Sequence, residues 1–261
     1  MPDLRFACTQ CGRCCHHHNL PLTLHEAIGW LEDGGDVQVF CEAAPWPMEP
    51  PPDDLRAAHR RRRSFAARSG ACPLRVTVLL VGVIAGACRH LRADMRCGIY
   101  ARRPMVCRIY PAELNPFLAL DPSGKACPSE AWTQGAPLIA GGRLVDADTL
   151  ALVERRRQAD HDDAPLKQAL CRLLGIEVTA LAEEGFVVYA PARGPLLAAL
   201  RVARDASPEQ LAEPTQWRLL TASIDSLAAL HALGARFVDA PRADDPFRLV
   251  AVTGKAAAAP A

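Results

Sequence analysis

The sequence predicts an α+β protein: a loop-rich, cysteine-stapled N-terminal module with helices, followed by a mixed helix/strand C-terminal half. Three observations predict it. All but Cys171 of the eleven cysteines lie at or before Cys127, interspersed with prolines and arginines. Helix-cap signals and short valine-rich or alternating runs follow one another without an internal repeat. The chain beyond Cys127 reads as ordinary helices and strands with no chemical motif. The expected organisation is a cysteine-cluster domain over 1–135, a mixed α/β accessory region over 136–254 and a disordered tail over 255–261.

The first element is Cys8-Thr9-Gln10-Cys11-Gly12-Arg13-Cys14-Cys15, followed by His16, His17 and His18. A C-x-x-C turn lets two thiolates point at one ion, and Gly12 relieves the tight turn between them. Cys14 and Cys15 are adjacent, and neighbouring side chains diverge. The pair therefore points to two close metal sites or a multi-iron cluster, unless one of the two is not a ligand. The three histidines are read as solvent-facing or supporting groups, with one completing a metal site as the alternative.

Next, Thr23 and Glu26 stand at capping-box spacing before Ala27, Ile28, Trp30 and Leu31, and Gly34-Gly35 stops that helix. Asp36 to Phe40 alternates like a strand. Five prolines between Glu42 and Asp54 mark a loop or stiff linker. Asp53-Asp54 then caps a helix predicted to run through Arg60-Arg61-Arg62-Arg63 to Arg68, with Gly70 closing it. Its arginines read as a solvated helix end, with contact to a polyanion the alternative. Leu74 to Ile84 is a valine- and leucine-rich run whose period does not separate strand from buried helix.

The second chemical stretch runs from Cys88 through Cys97 and Cys107 to Pro111, with Cys127 beyond. Pro104 suits the start of a short helix carrying Cys107. Arginines crowd this stretch. Four thiolates around one Zn²⁺ leave a charge of −2, so Arg102, Arg103 and Arg108 are the candidates for offsetting it and donating hydrogen bonds to sulfur. Cys41 and Cys72 lack partners at ligand spacing and read as structural thiols. Cys171 adjoins an apolar helix face and reads as core.

Past Gly141-Gly142, Asp148 opens a helix through Arg157, and a second is predicted from Pro165 to Leu174 with Gly175 as its cap. Gly185 to Tyr189 reads as a strand. Pro195 to Val202 and Ser207 to Glu213 read as helical. Trp217 to Val238 reads as a strand-helix-strand unit, and Arg248 to Val252 as a last strand.

Net charge is +1, so bulk electrostatics predict no partner, and nucleic acid is not an expected one. The N-terminus lacks the apolar core of a signal peptide, and no run approaches the roughly 20 apolar residues of a membrane span. The sequence thus predicts a cytoplasmic protein without membrane contact. In that compartment clustered cysteines more often bind metal or do redox chemistry than form disulfides. The run is not a ferredoxin motif, because the fourth cysteine is immediate. Nor is it a radical-SAM triplet, since His18 occupies the third position. Dinucleotide, P-loop, nucleophile-elbow and zincin signatures are missing.

Cys8-x-x-Cys11-Gly12-x-Cys14-Cys15, Cys88-x-x-Leu91 and Cys97-Gly98-Ile99-Tyr100-x-x-Arg103-Pro104-x-x-Cys107-Arg108-x-Tyr110-Pro111 together resemble the YkgJ-type cysteine-cluster family. The resemblance covers roughly residues 6–130. Ala101 stands where an acidic residue is expected, and Arg89-His90 replaces a more apolar pair. The family is described as zinc- or iron-chelating and its members are often labelled Fe–S oxidoreductases. The resemblance implies metal bound by Cys8, Cys11, Cys14, Cys15, Cys88, Cys97, Cys107 and Cys127. Flagellin lysine-N-methylases share a similar cluster, which adds a methyl-transfer possibility. Two readings follow. One is an iron–sulfur cluster or one to two Fe/Zn ions with redox or methyl-transfer-type activity. The other is a zinc-stapled module that binds a protein partner without catalysis.

Overall fold

The computed structural model describes residues 3–16, 18–207, 214–221, 223–238 and 241–251. Helices and sheets of mixed strand direction make the protein α+β. In chain order the elements are β1 (Leu4–Phe6), β2 (Asn19–Leu22), α1 (Leu24–Glu32), β3 (Asp36–Pro45), α2 (Leu55–Arg62), β4 (Phe65–Ser69) and β5 (Cys72–Val83). Then come α3 (Met105–Ile109), β6 (Ala136–Ala140), β7 (Arg143–Leu144), α4 (Ala147–Leu174), β8 (Val178–Leu181) and β9 (Gly185–Tyr189). The last are α5 (Arg193–Arg204), β10 (Thr215–Gln216), β11 (Arg218–Leu220), α6 (Ile224–Ala232) and β12 (Phe247–Ala251).

The contacts divide the chain into two compact units. Among the described residues, the first takes those up to Leu22 and Gly82–Gln158, and the second takes Thr23–Val81 and those from Ala159 on. In the first unit, β1 pairs antiparallel with β6, and β6 turns at Gly141-Gly142 into β7. Leu120, Leu138 and Ile139 pack with Leu4, Phe6 and Trp132 on this small sheet. A second cluster, Ile109 with Leu152 and Val153, ties α3 to the start of α4. This anchor holds Cys107, two residues before Ile109, on a fixed support.

In the second unit, β3 pairs antiparallel with β9 from Val39 to Cys41 and parallel with β8 at Glu42 and Ala43. β4 and β5 form a hairpin from Phe65↔Val76 to Ser69↔Cys72, turning at Gly70 with φ 57°. β10 adds parallel to β4, β11 parallel to β8, and β12 antiparallel to β9. Thr23 and Glu26 close the capping box at the start of α1, whose first amide also donates to Asp163 at 2.7 Å.

Three expectations change. The helix begun by Asp54 stops at Arg62, where the Ser64 hydroxyl donates to the Arg60 carbonyl at 2.6 Å. Phe65 to Ser69 is a strand because Phe65, Ala67 and Ser69 bury on one face while Ala66 and Arg68 point out. The two helices expected around Pro165 are one helix, Ala147–Leu174, with the proline inside. A mid-helix proline costs about 3 kcal/mol. Burial of Leu152 and Val153 before it, and of Ala164, Ala169 and Leu170 around and after it, offsets that cost. The valine-rich run settles as β5. The strand-helix-strand reading survives in reduced form, as β11, α6 and one parallel bridge from Leu219 to Phe237. All but Ser207 of the helix expected over Ser207 to Glu213 lies outside the described residues, as do the tail over 255–261 and His17.

Candidate metal centre

The first cysteine stretch is built on Gly12. Its φ of 70° and ψ of −3° turn the backbone into a 3-10 turn over Arg13–Cys15, where the Cys15 amide donates to the Gly12 carbonyl at 2.9 Å. A Cβ on Gly12 would collide with the Met95 carbonyl oxygen and lie 2.9 Å from Leu91 Cδ1. Glycine here therefore serves two needs: a left-handed turn, and room for the 88–97 segment to approach.

The second stretch is fastened to the first through the backbone. The Cys88 amide donates to the Cys15 carbonyl at 2.7 Å, and His16 and Ala87 form an antiparallel bridge. Leu91 and Cys97 form another bridge, and the Gly98 amide donates to the His90 carbonyl at 2.7 Å. These bonds place Cys15, Cys88 and Cys97 in one neighbourhood. α3 brings Cys107 to it on a turn whose Val106 and Ile109 are buried. Cys127 enters from the loop whose Ala126 amide donates to the Tyr110 hydroxyl at 2.7 Å.

The thiols act on one another's ionisation. The Cys15 S–H bonds to the Cys14 sulfur and brings Cys14 down to about 7; burial opposes this, while its own amide and Arg103 help. Cys15 is pushed up in turn by that bond to Cys14, by burial and by the charges of Cys14, Cys88 and Cys97. Burial raises Cys107 to about 12, with Cys14, Cys88 and Cys97 adding and Arg103 opposing. Burial raises Cys127 to about 11, with Cys14, Cys11 and Cys8 adding. Cys88 rises by burial as well. Cys14 recurs in each of these neighbourhoods and links the two stretches.

Of the three candidate arginines, Arg103 stands among the sulfurs. Its guanidinium lies 3.6 Å over the Tyr100 ring and donates to the Tyr100 carbonyl at 2.9 Å. Arg102 and Arg108 are exposed. Two hydroxyls were not singled out from sequence as site groups. Tyr100 bonds to Cys8 through its side chain, and Tyr110 bonds to Cys127. Their signal was present: both tyrosines fall within three residues of a cysteine in the 97–111 motif. Tyr110→Phe removes the bond to Cys127 and the acceptor for the Ala126 amide. It is expected to destabilise the first unit by about 1–3 kcal/mol and to loosen metal retention, checked by thermal unfolding and by metal content after dialysis.

The other cysteines lie apart from this neighbourhood. Cys41 and Cys171 are fully buried in the second unit and bond to each other through their side chains. Cys72 is buried at the start of β5. All eleven thiols are free.

As they stand, no three His, Cys, Asp or Glu side chains among the described residues converge tightly enough to grip an ion. The donor chemistry fits metal nonetheless. Thiolates are soft ligands suited to zinc and iron, and a cation would offset the mutual repulsion that adds to burial in raising Cys15, Cys107 and Cys127. Each Sγ is aimed by a single χ1 torsion with three staggered wells.

No curated protein and no solved structure matches the chain. A family model named CxxCxxCC and described as "Putative zinc- or iron-chelating domain" matches residues 7–128. That span contains both cysteine stretches and Cys127. Residues 7–128, just under half of the chain, are thus similar to the CxxCxxCC family.

Proposed function

We propose that the first unit holds an iron–sulfur cluster, or one to two Fe/Zn ions, through Cys8, Cys11, Cys14, Cys15, Cys88, Cys97, Cys107 and Cys127. The observation that carries this reading is the position of Cys14, whose ionisation is tied to Cys15, Cys88, Cys107 and Cys127 at once. Eight sulfurs exceed the four that one zinc ion takes. Adjacent Cys14 and Cys15 therefore favour a multinuclear cluster or two neighbouring ions. Bound iron–sulfur would supply one-electron redox chemistry. Arg103 would offset thiolate charge, while Tyr100 and Tyr110 would hold Cys8 and Cys127 in orientation. Oxidoreductase or methyl-transfer-type activity is the enzymatic extension of this reading, and the free thiols suit a reducing, cytoplasmic setting. No helix among the described residues is long and apolar enough to cross a membrane.

The test is anaerobic purification followed by metal and acid-labile sulfide analysis with an optical spectrum. Iron with matching sulfide and visible charge-transfer absorption supports the cluster. Colourless protein with stoichiometric zinc moves the reading to a zinc-stapled module that presents a surface to a protein partner. Protein with neither metal after growth in iron- and zinc-replete medium sinks both.

A further inference from the structure

The second unit carries a cavity that the cysteine chemistry leaves unused. It is an open cleft of about 670 Å³, within the range of about 300–1,000 Å³ typical of small-molecule sites. Arg61 and Arg62 reach it from the last turn of α2, Arg75 from β5, and His161 with Asp162 from α4. Three guanidinium-bearing residues thus line it against one carboxylate-bearing residue. Asp162 stands 3.1 Å from the His161 ring nitrogen.

Arg75 is the fixed point of the wall. Its Nε donates to the Ser64 hydroxyl at 3.0 Å, and its Nη2 donates to the carbonyls of Arg61, at 2.7 Å, and Ser64. Neutral oxygens hold the guanidinium in place and offset none of its charge. Burial and then the like charge of Arg61 work against charged Arg75, and Glu49 relieves part of this. Glu49 also pairs with Arg61. A partly buried cation fixed beside another cation is costly unless an anion shares the space. The rest of the wall, Phe65 and Pro165 among it, is apolar.

We propose that this cavity binds a small organic phosphate. Guanidinium forks match phosphate oxygens in paired, charge-assisted hydrogen bonds. The apolar wall and the volume suit a carbon-containing body attached to the phosphate. Arg61 and Arg62 at the end of α2 are thereby binding residues rather than part of a solvated helix end. The site is independent of the cysteines, so its test does not depend on metal loading.

The experiment is calorimetric titration of the full chain, as purified, with ATP, with inorganic pyrophosphate and with a thymidine oligonucleotide. Saturable one-to-one binding of ATP is expected, falling as salt rises. Arg61→Gln and Arg75→Gln should each weaken it by about tenfold or more. Arg61 is mostly exposed, so Arg61→Gln carries the test if Arg75→Gln fails to fold. Four results would overturn the assignment: no saturable binding of ATP up to about 1 mM, pyrophosphate binding without ATP binding, ATP binding that neither substitution weakens, or oligonucleotide binding that ATP does not displace.

Discussion

Cys107→Ser is expected to lower bound metal by about half or more and to destabilise the first unit, because ligand loss couples directly to folding. The position makes this the most damaging single thiol replacement. Cys107 sits on a one-turn helix whose Val106 and Ile109 are buried, and Ile109 packs on Leu152 and Val153. Its backbone is thus held near Cys14, Cys88 and Cys97, which all act on its thiol. Burial holds the free thiol protonated up to about 12, so metal binding here must release that proton and should strengthen as pH rises. A serine hydroxyl stays protonated at neutral pH and does not replace a thiolate. Metal per chain and thermal unfolding measure the effect. The control is Cys171→Ser in the second unit. It breaks the buried contact with Cys41 and should cost about 1–3 kcal/mol while leaving metal content alone. If Cys171→Ser strips metal or Cys107→Ser does not, the division between ligand and packing cysteines is wrong.

What could be read in advance followed local rules. The Thr23–Glu26 capping box and the Asp54 cap are satisfied within three residues, so spacing alone finds them. The end of α2 was harder. Arg63 to Arg68 lacks any helix breaker, and what makes Phe65 to Ser69 a strand is pairing with β5 across the Gly70 turn. Pro165 misled for the opposite reason. A local penalty marks it as a helix start, while packing at Leu152 and Leu170 on either side carries α4 through. In the cysteine region, the ordered spacing marked the two stretches and the family. It did not say which of the neighbouring arginines would reach the sulfurs. Arg102, Arg103 and Arg108 look alike in sequence, and only the turn at Tyr100–Arg102 sets Arg103 over the Tyr100 ring. The Cys41–Cys171 contact joins residues 130 positions apart in the chain (171 − 41), beyond any spacing rule.

Gly12→Ala is expected to destabilise the first unit by about 2–5 kcal/mol, from two causes that add. An L-residue at φ 70° loses about 1–2 kcal/mol against glycine, and forcing extra volume into a packed contact costs about 1–3 kcal/mol more. The second cause is specific to this position. The new Cβ would meet the Met95 carbonyl, which is backbone and cannot swing aside as a side-chain tip would. Relief requires the 88–97 segment to move away from the Cys11–Cys14 turn. That movement pulls on the Cys88 amide bond to the Cys15 carbonyl and on the His16–Ala87 bridge. Metal retention should therefore fall although no sulfur has been removed. Gly86→Ala separates the two causes. It shares a positive φ, at 116°, and a Cβ there would meet open space. It should lose stability through backbone strain while keeping its metal. Equal metal loss in both variants would mean that the close approach at Gly12 has no part in bringing the two cysteine stretches together.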